Sequence, residues 1–339
     1  MDTQIITGKP YQELVQQIST AFVHGQARAM AAVHSCLVDT YWKIGQHIVE
    51  YEQQGREKAV YGTALLENLS HDLKLLHGKG FSRSNLNYMR LLYIRYPICE
   101  TVSHKLSWSH YFELLKIEDD LERSFYEQQS QIENWSVAEL KRQKDSALFL
   151  RLALSKEKEK VLQLSKHGQL AESPEDIVKD LYVFEFLKIP EPYNISETEL
   201  ETRLINNLQS FLLELGKGFT FVARQFRMTI NNTSYRVDLV FYHRILRCFV
   251  LIDLKIREVK HNDIGQMNMY MGYFAKEENI EGDNPPIGII LSKEKDELLV
   301  EYATYGMNSQ LFVSKYQLYL PSKEELKRLI NQEIEFDNL

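Results

Sequence analysis

Apolar residues recur at mixed three- and four-residue spacing from about residue 10 to residue 150, with almost no helix breakers, and this predicts a run of helices. Within it, "YGTALLENLSHDLKLLHGKGFSRSNLNYMRLLYIRYP" marks one helix ending at Gly78-Lys79-Gly80 and another starting after Ser82 as its N-cap. Leu86, Met89, Leu92 and Tyr93 form the expected buried stripe of that second helix, with Arg83, Asn87 and Arg90 on another face. A helix, a short glycine turn and a helix basic near its start outline a helix-turn-helix-like hairpin, with Arg83 and Arg90 as candidate phosphate contacts. An ordinary helical hairpin with a solvated basic face has the same outline. "NWSVAELKRQ" repeats the pattern of an aromatic, a serine cap and a helix.

The pattern changes after a charge run, a Ser-Pro pair, Pro190 and Pro192, which place a domain junction between 155 and 195. "ELETRLINNLQSFLLELGKG" reads as an amphipathic helix closed by glycine. "FTFVARQFRMTI", "YRVDLVFYHR" and "RCFVLIDLKI" read as three strands, the first two joined at Asn231-Asn232. "HNDIGQMNMYMGYFAKEE" reads as a helix, "PPIGIILS" and "QLFVSKYQLYLP" as strands, and "SKEELKRLINQE" as a last helix. The order αβββαβ(α)β predicts an α/β domain with a mixed sheet behind an all-α domain. The expected domains are therefore 10–155 and 196–335, joined through 156–195.

Composition adds exclusions. With 339 residues the chain is long enough for two cores. No apolar run spans a bilayer, the N-terminus lacks a signal-peptide pattern, and Cys36, Cys99 and Cys248 form no CxxC pair. The expectation is a reduced, cytoplasmic protein without a membrane partner. Net charge is −7, but residues 219–261 hold eight Lys or Arg against three acids, while 169–201 hold nine acids and two lysines. Local fields rather than the total would steer a polyanion.

Two acids stand out when the strands are read at period two. Arg236, Asp238 and Val240 share one face of their strand, opposite Tyr235, Val237, Leu239 and Phe241; Phe249, Leu251, Asp253 and Lys255 share one face of the next. An aspartate amid apolar neighbours on each of two adjacent strands is costly unless compensated. On the preceding helix, Glu199 has a capping-box spacing to Ser196, Glu197 reads as solvated, and Glu201 lies at helical spacing with Leu204, Ile205, Leu208 and Leu212 toward the buried side. One lysine cannot neutralise three acids. A divalent cation can, and Mg²⁺ favours one or two carboxylates plus water. Gln266 and Tyr270, four apart on one helix, point the same way.

Glu201, Asp238 and Asp253-Leu254-Lys255, in helix, strand, strand order, resemble the PD-(D/E)xK nuclease superfamily, and "QMNMY" (266–270) matches the Q-h-x-x-Y motif of its RecB-like branch. Val237 stands where the superfamily name has Pro. More closely, the chain is similar to the YhcG family of bacterial nuclease-domain proteins, through "YWKIGQHIVEYEQQG", "LSWSHYFELLKI", "FLLELGKGFTFVARQF", "VDLVFYHRILRCFVLIDLK" and "GQMNMYM", across most of the chain. The resemblance implies a restriction-endonuclease-like fold and a metal-dependent nuclease acting on nucleic acid, DNA first, in repair, recombination or defence. It implies Mg²⁺ or Mn²⁺ on Asp238, Asp253 and the Leu254 carbonyl, with Glu201 holding a water beside the ion or a second ion. Lys255 would orient the attacking water and stabilise phosphate charge, and Gln266 and Tyr270 would position the phosphate or the lysine. Arg224 and Gln225 are candidate backbone contacts. The helical domain would bind DNA, a partner or a second copy of the chain. The rival readings are a non-cleaving nucleic-acid binder and an assembly subunit of a defence or repair complex.

Overall fold

Helices fill the first part of the chain because its apolar positions recur at helical period, and a six-stranded sheet fills the second because the period there falls to two. The computed structural model describes residues 9–54, 64–98, 103, 105–153, 158–169, 171–189, 195–307 and 310–319. The last expected helix, 322–333, and Cys99 lie outside the described residues. The chain forms two units, Met1–Leu140 and Lys141–Leu339.

In the first unit α1 (Lys9–Gln54) is a single helix, followed by α2 (Leu65–His77), α3 (Arg83–Arg95), α4 (Trp108–Leu114), α5 (Asp120–Glu133) and the start of α6 (Val137–Asp145). Gly78 at φ 88° ends α2, and Ser82 Oγ accepts the Asn85 backbone N–H at 3.1 Å to begin α3. Leu86, Met89 and Leu92 are the fully buried stripe, with Tyr93 half-buried edge-on to Trp42. α1 meets α3 at Gly45, where a Cβ would come within 2.0 Å of the Met89 carbonyl oxygen, so only glycine permits this close pass.

The second unit adds α7 (Leu148–Ala153), α8 (Lys158–His167), α9 (Pro174–Ile177), β1 (Leu181–Val183), a 3₁₀ turn, α10 (Glu197–Asn206) and α11 (Leu208–Leu215). The stretch expected as a linker with connecting helices supplies two helices and, in addition, a strand. Three residues are too few for alternation to show β1 in the sequence. The single helix expected over this region is two, broken at Asn207, whose backbone leaves the helical region at φ −116°, ψ 35°. Then follow β2 (Phe219–Ile230), β3 (Thr233–His243), β4 (Cys248–Glu258), α12 (His261–Tyr273) ending in a π-helical turn, β5 (Ile287–Glu294), α13 (Glu297–Thr304) and β6 (Gln310–Gln317).

The sheet order is β1-β6-β5-β4-β3-β2, antiparallel from β2 to β4 and parallel from β4 to β1. One face packs Leu239, Phe241, Ile252, Leu254 and Leu291 against Leu200, Leu204 and Phe211 of α10 and α11. The other packs Val240, Leu251, Ile290 and Val313 against Ile264, Met267, Tyr270 and Met271 of α12. Beside the first face, Glu214 of α11 is fully buried and meets Arg151 Nη1 at 2.6 Å, with Arg142 at 3.3 Å and Lys179 at 3.9 Å. Arg151 also donates to the carbonyls of Ser146 and Leu181, tying α7 and β1 to α11. Burial alone would raise the Glu214 carboxyl, but Arg151, Lys179 and Arg142 hold it at about 2.

Candidate active site

The site lies where β3 and β4 part. Their ladder runs from His243↔Cys248 to Leu239↔Ile252 and stops. Beyond it the Leu254 backbone N–H donates instead to Asp238 Oδ2 at 2.8 Å, so the carboxylate stands in for the missing ladder partner. On the other side of β3 the β2 ladder holds Arg224↔Leu239 and Phe226↔Val237, while Gln225 and Asp238 between them are unpaired. Gln225 takes φ 49°, a left-handed value that is costly for a side chain of this size.

This irregularity corrects one sequence reading. Strict alternation puts Val237 with Leu239 and Phe241, yet Val237 packs in the α12 core with Val240, while Leu239 and Phe241 pack in the α10–α11 core. The face flips at Asp238 because both strands leave regular pairing there. Asp253 and Lys255 do share a face as alternation requires: Lys255 Nζ lies 2.5 Å from Asp253 Oδ2.

From α10, Glu201 enters the same place, 2% exposed. Gln225 Nε2 bridges Glu201 Oε2 at 2.7 Å and Asp238 Oδ1 at 3.0 Å. Arg224 Nε pairs with Glu201 Oε1 at 2.6 Å. Arg224 also donates to Thr202 Oγ1. The Leu254 carbonyl faces Lys255 Nζ at 3.4 Å. From α12, Gln266 hydrogen-bonds Tyr270, whose hydroxyl is held protonated by burial and then by the nearby charges of Asp253 and Asp238.

The electrostatics record the crowding. Burial first, and the Asp238 charge second, push the Asp253 carboxyl up to about 7 despite Lys255. Burial works against the Lys255 ammonium, but Asp253, Glu197 and Asp238 outweigh it and keep Lys255 above its ordinary value. An all-oxygen set whose two buried aspartates repel each other fits a hard cation. Among the described residues no three His, Cys, Asp or Glu side chains close into a metal-holding group. A cation here would therefore take much of its shell from water or substrate oxygens, as Mg²⁺ usually does.

The structure thus gathers Asp238, Asp253, Leu254, Lys255, Glu201, Arg224, Gln225, Gln266 and Tyr270 around one fork in the sheet. Arg83 and Arg90 belong to the other unit, each against an acid: Arg83 lies 3.5 Å from Glu67, and Arg90 lies 2.7 Å from Glu52. Glu199 differs from its reading in detail: Ser196 Oγ accepts the Glu199 N–H, but the Glu199 side chain pairs with Arg203, one turn on, rather than returning to Ser196. Glu197 differs from its reading as a solvated acid. It is half-exposed rather than free, accepts the Ile256 N–H at 3.3 Å and stands 4.0 Å from Lys255 Nζ. The available signal was its i, i+4 spacing to Glu201 on one helix face. A clamp of Arg257 on Asp263 at 2.7 and 2.9 Å, which fixes the start of α12, was also missed.

A family model described as "YhcG PDDEXK nuclease domain" matches residues 175–331, and "DUF1016 N-terminal domain" matches 17–151. The protein named "Putative nuclease YhcG" from Escherichia coli (strain K12) is 35% identical over 347 aligned positions, covering 92% of each chain. The chain belongs to the YhcG family of PDDEXK nuclease-domain proteins. Among solved structures, a repair endonuclease from Pyrococcus abyssi gives a TM-score of 0.27 at 20% identity, over 39% of this chain and 50% of that one. EndoMS in its apo form gives 0.24 at 18%, over 39% and 49%, so the chain spans about half the length of each. In this YhcG-family chain the matched nuclease domain contains every residue of the fork. No helix among the described residues is long and apolar enough to cross a membrane.

Proposed function

We propose that the fork is the catalytic centre of a divalent-metal-dependent nuclease that hydrolyses phosphodiester bonds in DNA, in repair, recombination or defence. The observation that carries this reading is the pairing of two crowded aspartates, Asp238 and Asp253, with Lys255 in contact with one of them. A salt bridge needs one acid; this site has a second aspartate, plus the buried Glu201 held by Arg224 and Gln225.

Asp238, Asp253 and the Leu254 carbonyl would hold Mg²⁺ or Mn²⁺, with Glu201 beside them. What the bound ion supplies is polarisation of the phosphodiester and neutralisation of charge gathering on its oxygens. Lys255 Nζ, charged at neutral pH, donates hydrogen bonds to the attacking water or to a phosphate oxygen and orients it. Tyr270, protonated and braced by Gln266, offers a second donor toward the phosphate or toward Lys255. Gln225 and Arg224 hold Glu201 and Asp238 in place and lie ready for the sugar-phosphate backbone. The helical unit serves nucleic-acid or partner binding.

The test is incubation of the purified chain with labelled single-stranded, duplex and junction DNA and matching RNA, each with Mg²⁺, Mn²⁺ or EDTA. Cleavage of DNA with either ion and none in EDTA is the expected result. Binding without cleavage under every condition would turn the reading to a non-cleaving nucleic-acid protein, and cleavage of RNA alone would change the substrate.

A further inference from the structure

Among the described residues, the α1 side chains from residue 11 to residue 33 are exposed. Tyr11, Leu14, Val15, Ile18, Phe22, Val23, Met30 and Val33 are all exposed, Phe22 at 65% and Ile18 at 60%. The helix packs on the rest of its unit farther on, through Val38, Trp42, Gly45 and Ile48. Along the exposed part, Tyr11, Ile18, Gly25 and Ala32 repeat every seven residues, as do Val15, Phe22, Ala29 and Cys36. Together they make the 4-3 seam of a two-stranded coiled coil. Only Glu13 and Arg28 are charged between residues 10 and 38, so the segment has little reason to seek water.

The seam is divided by size. Its first half is large (Tyr11, Val15, Ile18, Phe22) and its second half is small (Gly25, Ala29, Ala32, Cys36). Let the same seam run antiparallel to a copy of itself about a two-fold axis between Val23 and His24. Phe22 then faces Gly25, Ile18 faces Ala29, Val15 faces Ala32 and Tyr11 faces Cys36. Every large residue meets a small one, the alternation that interdigitated packing requires. A parallel pairing in register would instead stack large on large and small on small.

Gly25 supplies a separate observation. Glycine is among the poorest helix formers, and a Cβ built there meets nothing within 4 Å, so no neighbour among the described residues calls for it. In the antiparallel pair it is the position against which Phe22 of the other helix lies. The area also suffices: at on the order of 90 Å² from each of the four large seam residues and the flanking Leu14 and Val33, two helices would bury about 1,100 Å², at the lower edge for a specific interface. A foreign helix would need no such match between the two halves of one seam, whereas a two-fold pair does.

We propose that α1 is a homodimerisation helix, pairing antiparallel with α1 of a second copy across residues 11–36. The proposal is independent of the catalytic reading.

Light scattering on a sizing column reads the mass directly. The full chain should run at twice its chain mass at micromolar concentration, and Ile18→Glu with Phe22→Glu should run as a monomer with an unchanged circular-dichroism spectrum, since both side chains are exposed. Orientation is read by oxidation with oxidised glutathione in a Cys99→Ser background. Tyr11→Cys should yield a covalent dimer through position 11 of one chain and Cys36 of the other, lost when Cys36→Ser is added. A monomeric wild type would overturn the proposal and leave the stripe to another segment or protein. A covalent dimer through Cys36 alone would overturn the antiparallel arrangement.

Discussion

Glu199 and Glu201 lie on one short helix two residues apart and differ in everything that decides a role. Glu199 is half-exposed against Arg203, a pair worth about 0.3–0.5 kcal/mol, so Glu199→Gln should leave DNA cleavage within about twofold of wild type. Glu201 is buried, with one oxygen on Gln225 and the other on Arg224, and Glu201→Gln should lower cleavage about 100-fold or more. Comparable rates for the two variants would remove Glu201 from the site. Asp253 gives a pH signature without metal. Its folded pKa, about 7, lies above the ordinary carboxylate value, so the folded state favours the protonated form. Stability is then greatest below pH 4 from this group and is lost as pH rises through 7. Asp253→Asn removes that loss: in EDTA its melting temperature relative to wild type should climb between pH 4 and pH 8, by an amount corresponding to a few kcal/mol at most. A difference that is flat with pH would mean the carboxyl titrates normally.

At the scale of elements, what the sequence revealed and what it hid divide along physical lines. The D-x-K pair was legible because strand alternation puts residues two apart on one face, and Glu201 was legible because helix periodicity turns it inward. The flip at Asp238 was not, because it rests on a left-handed Gln225, and a non-glycine residue carries no sign of such a conformation in its identity. β1 was hidden by its length, and Glu197 by an expectation that acids at a helix start face water. The buried ion cluster around Glu214 was equally hidden, since Arg142, Arg151, Lys179 and Glu214 lie far apart in sequence and only the packing of α7, β1 and α11 joins them. Its worth is testable. Glu214→Gln leaves buried cations uncompensated and should destabilise the second unit by about 3–5 kcal/mol at pH 7. Because the folded pKa is depressed to about 2, the stabilisation is present above the ordinary carboxylate range and fades as pH falls toward 2, so the difference between the proteins should narrow on acidification. A cost below about 1 kcal/mol at pH 7 would show the cluster to be energetically idle.

For the molecule as a whole, metal binding at the fork would register as stability. A folded chain that carries self-repelling carboxylates should be stabilised by any ion that binds them, because the ion binds the folded state and not the unfolded chain. The decisive measurement is the melting temperature of wild type, Asp253→Asn and Lys255→Ala at pH 8, with millimolar Mg²⁺ or Mn²⁺ and with EDTA. Wild type should gain about 2–4 °C when the ion is near tenfold its Kd, and Lys255→Ala should keep that gain while losing cleavage. Asp253→Asn should show no gain and, in EDTA, melt no lower than wild type. If Asp253→Asn instead melts well below wild type in EDTA and still responds fully to the ion, Asp253 and Lys255 are a salt bridge and the metal site is elsewhere.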